Sequence, residues 1–155
     1  MSTQKRAALH DSLVRNIRQF IAGTILYNQQ VADSMGLHLT DMQCFGVLEL
    51  LGPVTPGTLA ERTGLTTGGV TVMLDRLQKE GFIKRVPNPN DRRSVLVHIN
   101  EKKMEKIRPY YAEITQQLEA FLSSTPVADL ETVVNFLSRM NEIRGERPRK
   151  PKSAK

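Results

Sequence analysis

The chain has 155 residues, a length typical of one domain with a complete hydrophobic core. Its composition, 39% hydrophobic and 25% charged, excludes a disordered chain, and the lone Cys44 excludes an internal disulfide. The sequence has no apolar run long enough for a membrane span and no signal peptide at its N-terminus, so we expect a cytoplasmic protein.

The net charge of +6 is unevenly distributed along the chain. Residues 144–155 hold six Lys or Arg against one Glu, and Arg62–Arg93 holds seven basic residues against three acidic ones. The remainder is slightly acidic. Basic charge that is concentrated in two segments is expected of a protein that binds phosphate groups, such as those of nucleic acids.

Apolar side chains at helical spacing predict a first helix over residues 10–34. Asp11 or Ser12 is the expected N-cap of this helix, because both side chains accept hydrogen bonds from free backbone amides. Gly36 is expected to follow the end of the helix, since glycine enters the left-handed conformation without a steric penalty.

Two further helices are predicted before the middle of the chain. Thr40 is the expected N-cap of the second helix, and Gly52 is expected to end it. The inner face of this helix is predicted to hold Phe45, Leu48 and Leu51. A short third helix is expected from Thr55, with Pro56 at its first position, and Gly64 then begins a turn.

The central part of the chain predicts a helix that is followed at once by a β-hairpin. The helix covers residues 67–80 and ends at Gly81. Its buried face is predicted to hold Val70, Met73, Leu74 and Leu77. The hairpin comprises a strand at Phe82–Val86, a turn at Pro87–Asp91 and a returning strand at Val95–Ile99. Two short helices and a hairpin in this order outline a winged helix-turn-helix.

Beyond the hairpin, apolar residues spaced alternately three and four apart predict one long helix over residues 101–123, kinked at Pro109. These residues are Met104, Ile107, Tyr111, Ile114, Leu118 and Phe121. A last helix is predicted at residues 127–143, and residues 144–155 are expected to form a disordered basic tail. The terminal helices are more apolar than a small monomer requires, so we expect them to pack against other helices.

Three motifs in the central stretch resemble the MarR family of winged helix-turn-helix transcription factors. They are Leu74-Asp75-Arg76-Leu77, Glu80-Gly81-Phe82-Ile83 and Asp91-Arg92-Arg93-Ser94, with Val97 and Ile99 behind them. The resemblance covers about residues 10–143 and implies a mainly α-helical fold with a small β-wing. It implies a single domain over residues 1–143, with dimerisation helices at 10–34 and 101–143 and a DNA-binding reading head at 40–100.

Two positions depart from the family pattern. Gly68 and Gly69 lie at the start of the helix, where each lowers the helix propensity by roughly 1 kcal/mol relative to alanine. Asn100 stands where the family often has threonine, and we expect it to cap the next helix as threonine would.

The resemblance implies a sequence-specific repressor that binds a pseudo-palindromic operator as a homodimer and is released by a small aromatic or anionic effector. The expected DNA-contacting residues are Thr66, Thr67, Gly68, Gly69, Thr71, Arg76, Arg92, Arg93 and Ser94. Asp91 is expected to support the wing. Arg76 is expected either to brace the wing or to contact a phosphate, and the arginine that enters the minor groove is either Arg92 or Arg93. The candidate effector pocket comprises Tyr27, Met35, His38, Met42 and Phe45.

Other function classes receive little support from the residues. The sequence has no nucleophile–base pair, no phosphate-binding loop and no metal-ligand spacing, so an enzyme, a cofactor and a metal site are not expected. Cys44 has no basic residue near it in sequence, which is more typical of a buried core thiol than of a redox sensor. The remaining alternative is a non-specific architectural DNA-binding protein whose affinity comes from the basic tail.

Overall fold

A computed structural model describes residues 3–144 of the chain. The elements are α1 (Thr3–Met35), α2 (Leu39–Leu51), α3 (Pro56–Thr63), α4 (Thr67–Lys79), β1 (Ile83–Asn88), β2 (Asp91–Ile99), α5 (Glu101–Met104), α6 (Arg108–Ser124) and α7 (Val127–Arg144). The predicted fold class, mainly helical with a small β-wing, is confirmed. Apart from the backbone of Arg144, the predicted basic tail lies outside the described residues. Within residues 3–144, no helix combines the length and the apolar character that a membrane crossing requires.

The described chain divides into two compact units, Met1–Gln43 and Cys44–Lys155. In the first unit, α1 begins at Thr3, so the predicted start near residue 10 was wrong. Residues 3–9 include one lysine, one arginine and two alanines, which are good helix formers. They allow the helix to extend beyond the predicted start. Asp11 and Ser12 therefore lie inside α1 and do not cap it.

The end of α1 follows the prediction. Gly36 adopts a left-handed conformation with φ of 67° directly after the last helical residue. The backbone N–H of Leu37 then donates to the carbonyl of Ala32 at 2.8 Å, which satisfies one of the free carbonyls at the helix end.

His38, and not Thr40, precedes α2 as its N-terminal capping position. The backbone amides of Asp41 and Met42 donate to the His38 carbonyl at 2.9 and 3.3 Å. The fully buried carboxylate of Asp41 accepts a hydrogen bond from the His38 amide at 2.8 Å. A carboxylate three residues after the cap closes half of a capping box, and this interaction places the helix start two residues before the predicted one.

The second unit contains a winged core, which we define as residues 44–107. Its buried side chains are Cys44, Phe45, Leu48, Leu59, Val70, Met73, Leu74, Leu77, Phe82, Ile83, Val97, Met104 and Ile107. The predicted inner face of α4 is confirmed. Leu51 was predicted to face inward but is 45% exposed, because it is the last residue of α2 and the chain turns at Gly52.

The hairpin is longer and tighter than predicted. β1 and β2 pair antiparallel from Ile83↔Ile99 to Pro87↔Val95, and after a register shift Asn88 pairs with Asp91, so the turn consists of two residues where five were expected. Pro87 lies within β1, and an edge strand tolerates a proline because the missing N–H can face solvent. At the base of the hairpin, the Val97 amide donates to the Val54 carbonyl at 2.8 Å.

The predicted long helix after the hairpin is two helices. α5 ends at Met104, and α6 begins at Arg108 with Pro109 in its first turn. Proline lacks an amide hydrogen and its ring clashes with the preceding turn, so it starts a new helix here and does not kink a continuous one. The break leaves Met104 and Ile107 buried in the winged core.

The terminal helices α1, α6 and α7 carry many exposed apolar side chains. On α6 and α7 these include Ile114, Leu118, Phe121, Leu122, Val127, Val133, Val134, Leu137 and Ile143, and on α1 they include Leu9, Phe20, Ile21, Ile25 and Leu26. The exposed fractions reach 77% at Phe20 and 65% at Phe121. These helices present a large apolar surface to solvent within one copy of the chain.

Candidate nucleic-acid interface

The start of α4 is held by threonine side chains. Thr66 is the N-cap, and its Oγ1 accepts a hydrogen bond from the Gly69 amide at 3.1 Å. The hydroxyl of Thr71 donates to the Thr67 carbonyl at 3.0 Å. All three threonines are exposed, so each remains accessible to a ligand while its side chain or backbone stabilises the helix.

The two adjacent glycines of α4 differ in the space that surrounds their Cβ positions. A Cβ at Gly69 would lie 3.2 Å from the capping Oγ1 of Thr66, so a side chain there would disturb the N-cap. A Cβ at Gly68 would meet nothing within 4 Å, and Gly68 has no positive φ. A side chain at position 69 would therefore press on the Thr66 hydroxyl, whereas position 68 has room for one.

The exposed face of α4 is less polar than the predicted contact residues suggest. Its centre is Val72, whose side chain is 65% exposed and lies opposite the buried face of the helix. Val72 was not among the predicted DNA-contacting residues, which were all polar side chains or glycines. A helical projection would have found it, since the buried residues leave position 72 on the solvent side.

The tip of the wing is closed by hydrogen bonds around Asp91. The Asp91 carboxylate accepts from the backbone amide of Arg93 at 3.0 Å. The Ser94 hydroxyl donates to the Asp91 carbonyl at 3.2 Å and accepts from Nδ2 of Asn88 at 2.9 Å. Arg92 and Arg93 are both exposed on β2 next to this turn. The tip is thus internally bonded, and its two guanidinium groups extend from a fixed backbone.

An ion pair joins the wing to α4. A guanidinium nitrogen of Arg85, on β1, lies 2.7 Å from Oδ1 of Asp75 and donates to Oε1 of Gln78 at 3.3 Å. The Arg85 side chain is 24% exposed and the Asp75 side chain 63% exposed, so solvent reaches the pair mainly from the Asp75 side. Asp75 and Arg85 therefore brace the wing. Bracing was one of the two roles predicted for Arg76, which is half-buried.

Asn100 makes a second link between α4 and the hairpin. Its amide side chain donates to the Gly81 carbonyl at 2.8 Å, and its backbone amide donates to the Phe82 carbonyl at 2.8 Å. Asn100 occupies the N-cap position of α5, but its side chain forms no capping bond there. Asn100 thus takes the predicted N-cap position, but its side chain does not cap the helix, because it bonds the carbonyl of Gly81, which follows α4.

The candidate effector residues are divided between the two units. Tyr27, Met35 and Met42 are half-buried and His38 is exposed in the first unit. Phe45 is buried in the second unit, with its ring centroid 5.7 Å from that of Phe82. A pocket that these five residues share remains a prediction. Among residues 3–144, no cluster of three His, Cys, Asp or Glu side chains is suited to hold a metal ion.

Comparison with known proteins identifies the family. The model of the MarR family matches residues 39–95, which include α2, α3, α4 and most of the hairpin. The HTH-type transcriptional regulator YcgE of Bacillus subtilis is 31% identical over 147 residues, covering 94% of this chain and 96% of the relative.

Solved structures show the same fold. The transcriptional regulator Tm0710 of Thermotoga maritima superposes with a TM-score of 0.62 at 21% identity, covering 86% of this chain and 94% of that one. A MarR mutant from E. coli, solved in complex with operator DNA, superposes with a TM-score of 0.53 at 22% identity, covering 83% and 93% of the two chains. The chain belongs to the MarR family of winged helix-turn-helix transcriptional regulators.

Proposed function

We propose that the chain is a repressor that binds a pseudo-palindromic operator as a homodimer. As a member of the MarR family it is a transcriptional regulator and not an enzyme. The observation that carries the proposal is the exposed face of α4 beside a braced wing with two exposed arginines. This arrangement lies within Arg62–Arg93, the basic stretch of the sequence.

The helix and the wing suit different parts of a duplex. An α-helix fits the major groove, where the hydroxyls of Thr66, Thr67 and Thr71 can bond phosphates or base edges. In this proposal Arg92 or Arg93 contacts an adjacent minor groove, where A·T-rich sequences concentrate negative potential. A relative of the same fold was solved with operator DNA, which supports this use of the fold.

The exposed apolar faces of the terminal helices support a homodimer. Exposed large apolar side chains recur along α1, α6 and α7, and extensive exposed apolar surface is a mark of protein–protein interfaces. A second copy of the chain offers the same faces and would cover them symmetrically. Two reading heads would then enter major grooves about one helical turn apart, roughly 10 base pairs or 34 Å.

In vitro selection from random duplexes, followed by footprinting, tests the proposal. We expect the full chain to enrich a pseudo-palindrome with half-sites about 10 base pairs apart, and light scattering to show a dimer at micromolar concentration. A monomer in solution, or protection of a single half-site, would contradict the homodimer. Repression is tested by placing the selected site in a reporter promoter, whose output should rise when the regulator is removed.

Truncation of the basic tail separates specific recognition from architectural binding. Deleting residues 147–155 removes five positive charges. Each phosphate contact contributes about 0.9 to the slope of log K against log salt, so we expect the slope to flatten by roughly two to four. Operator and random DNA should lose affinity nearly alike, because a polycation reads charge and not base edges. A collapse in the ratio of the two affinities would favour the tail-driven alternative.

We also propose that a small aromatic or anionic effector releases the DNA. The family resemblance supports this regulation, and the candidate residues are Tyr27, Met35, His38, Met42 and Phe45. Screening of such compounds for release of labelled operator tests it. Tyr27→Ala and Met42→Ala should weaken the response to an active compound while operator affinity without the compound stays unchanged. A response that is the same in both variants and the wild type would place the effector elsewhere.

A further inference from the structure

Val72 is the one large apolar side chain that is exposed between residues 52 and 109, all of which the structure describes. Every other large apolar residue of that stretch is buried or half-buried. A β-branched side chain on the solvent face of a helix also has a lower helix propensity than alanine. Neither packing nor helix propensity therefore accounts for a valine at the centre of this face.

The surface beside Val72 is open on its N-terminal side. Gly68 lies one turn earlier on the same face, and the space where its Cβ would be is empty to 4 Å. Helical side chains lean toward the N-terminus, so Val72 borders the side of the helix where Gly68 leaves the backbone bare, with no atom within 4 Å of its Cβ position. We call this feature the Gly68–Val72 recess. Thr71 and Asp75 flank it, so an apolar recess is set within a polar surface.

We propose that the Gly68–Val72 recess receives the C5-methyl group of a pyrimidine in the major groove, and that in the operator this pyrimidine is thymine. This inference rests on the proposed function and names the base that the site reads. Among the base edges of the major groove, the thymine methyl is the apolar group. Valine neither donates nor accepts hydrogen bonds, so a cytosine amino group against it would lose its water without gaining a partner.

Gly68 leaves the helix surface next to Val72 without a side chain. A base can approach the helix closely only where no Cβ intervenes, and the fold itself does not require a glycine at this position. An open surface with an exposed apolar side chain at its edge therefore selects by shape and by polarity together. We expect one thymine in each half-site to depend on it.

Removing individual methyl groups from the DNA tests the inference. The operator obtained by selection is resynthesised with deoxyuridine in place of each symmetric pair of thymines, which removes only the methyl groups. Burial of one methyl contributes about 0.8 kcal/mol, or roughly fourfold in affinity, so the critical pair should weaken wild-type binding about fifteenfold. Val72→Ala should bind the thymine operator more weakly and should lose little further affinity with deoxyuridine.

Lys79→Ala is the matched control variant, because Lys79 is exposed on the same helix face. Its affinity should fall equally on the thymine and deoxyuridine operators, without coupling to the methyl group. With cytosine at both positions of the critical pair, 5-methylcytosine at both should raise wild-type affinity about fifteenfold, the effect of two methyl groups. Equal binding of cytosine and 5-methylcytosine would contradict the inference.

The failure of this inference is distinguishable from failure of the proposed function. If selection enriches no sequence, the chain does not read an operator and the proposed function is wrong. If selection yields an operator but every deoxyuridine substitution lowers the affinity of the wild type and of Val72→Ala by the same factor, the Gly68–Val72 recess contacts no methyl group. Melting temperatures of all variants are measured alongside, and Val72→Ala should match the wild type because its side chain is exposed.

Discussion

The winged core and the terminal helices are built from similar apolar patterns but bury them differently. Leu74 on α4 is fully buried, whereas Leu118 on α6 is 52% exposed. Both residues belong to rows of apolar side chains at helical spacing. The winged core covers its own row with α3 and the hairpin, and the rows on α6 and α7 remain open within one protomer. Spacing thus tells which side chains share a face and not what covers that face.

The comparison also bears on function. In the winged core, the Arg85–Asp75 ion pair, the Thr66 cap of α4 and the Asp91 hydrogen bond at the wing tip all form within one protomer. The terminal helices leave apolar side chains exposed within one protomer. In the proposed homodimer, each winged core contacts one half-site of the DNA, and the terminal helices set the distance between the two copies of α4.

The largest expected effect is on the terminal helices. Leu118→Glu should weaken dimerisation by about 3 kcal/mol or more, because each protomer loses a buried leucine and gains a charge at the interface. Sedimentation equilibrium measures the change, and operator affinity should fall with it. Gln116→Glu is the matched control, because position 116 lies on the opposite side of α6. Unchanged dimerisation in Leu118→Glu would remove the α6 face from the interface.

The next effect is on the winged core. Leu74→Ala should lower the free energy of unfolding by about 2–5 kcal/mol, because it leaves a cavity at a fully buried position. Urea denaturation measures the loss. Val72→Ala, two positions earlier and exposed, should stay within about 0.5 kcal/mol of the wild type. Similar losses in both variants would mean that α4 packs differently.

The wing arginines should affect binding and not folding. Arg92→Ala or Arg93→Ala is expected to weaken operator binding by roughly 1–3 kcal/mol, the range of one base-level contact. Both side chains are exposed, so the melting temperature should not change. Fluorescence anisotropy with the selected operator gives the affinity. If neither variant binds more weakly, the wing takes no part in recognition.

The smallest effect separates the two glycines of α4. Gly68→Ala should raise the free energy of unfolding by about 0.5–1 kcal/mol, because the position is helical and open. It should also weaken operator binding, since the new methyl fills the Gly68–Val72 recess. Gly69→Ala should gain less stability or lose some, because its Cβ would meet the capping Oγ1 of Thr66. Equal stability changes would contradict this distinction.

Local sequence signals predicted much of the fold. The glycines at 36, 52, 64 and 81 all have positive φ where helices end, and the buried face of α4 agrees with its spacing. These features depend on neighbours within a few residues, which the sequence displays directly. The errors occurred where two local rules compete, as at the start of α2, where the Asp41 capping interaction takes precedence over Thr40. They also occurred at Pro109, which begins a helix and does not kink one.

By itself, the sequence determined the order of helices and strands, the basic stretch around α4 and the family motifs, because these follow from periodicity, charge and short spacings. Only the tertiary structure decided that Arg85 reaches Asp75, that Asn100 bonds the Gly81 carbonyl and that Val72 stands exposed on the reading face. Arg85 and Asn100 meet partners 10 and 19 residues away in the chain. Such contacts depend on how elements pack, and an amino-acid pattern carries no direct record of that packing.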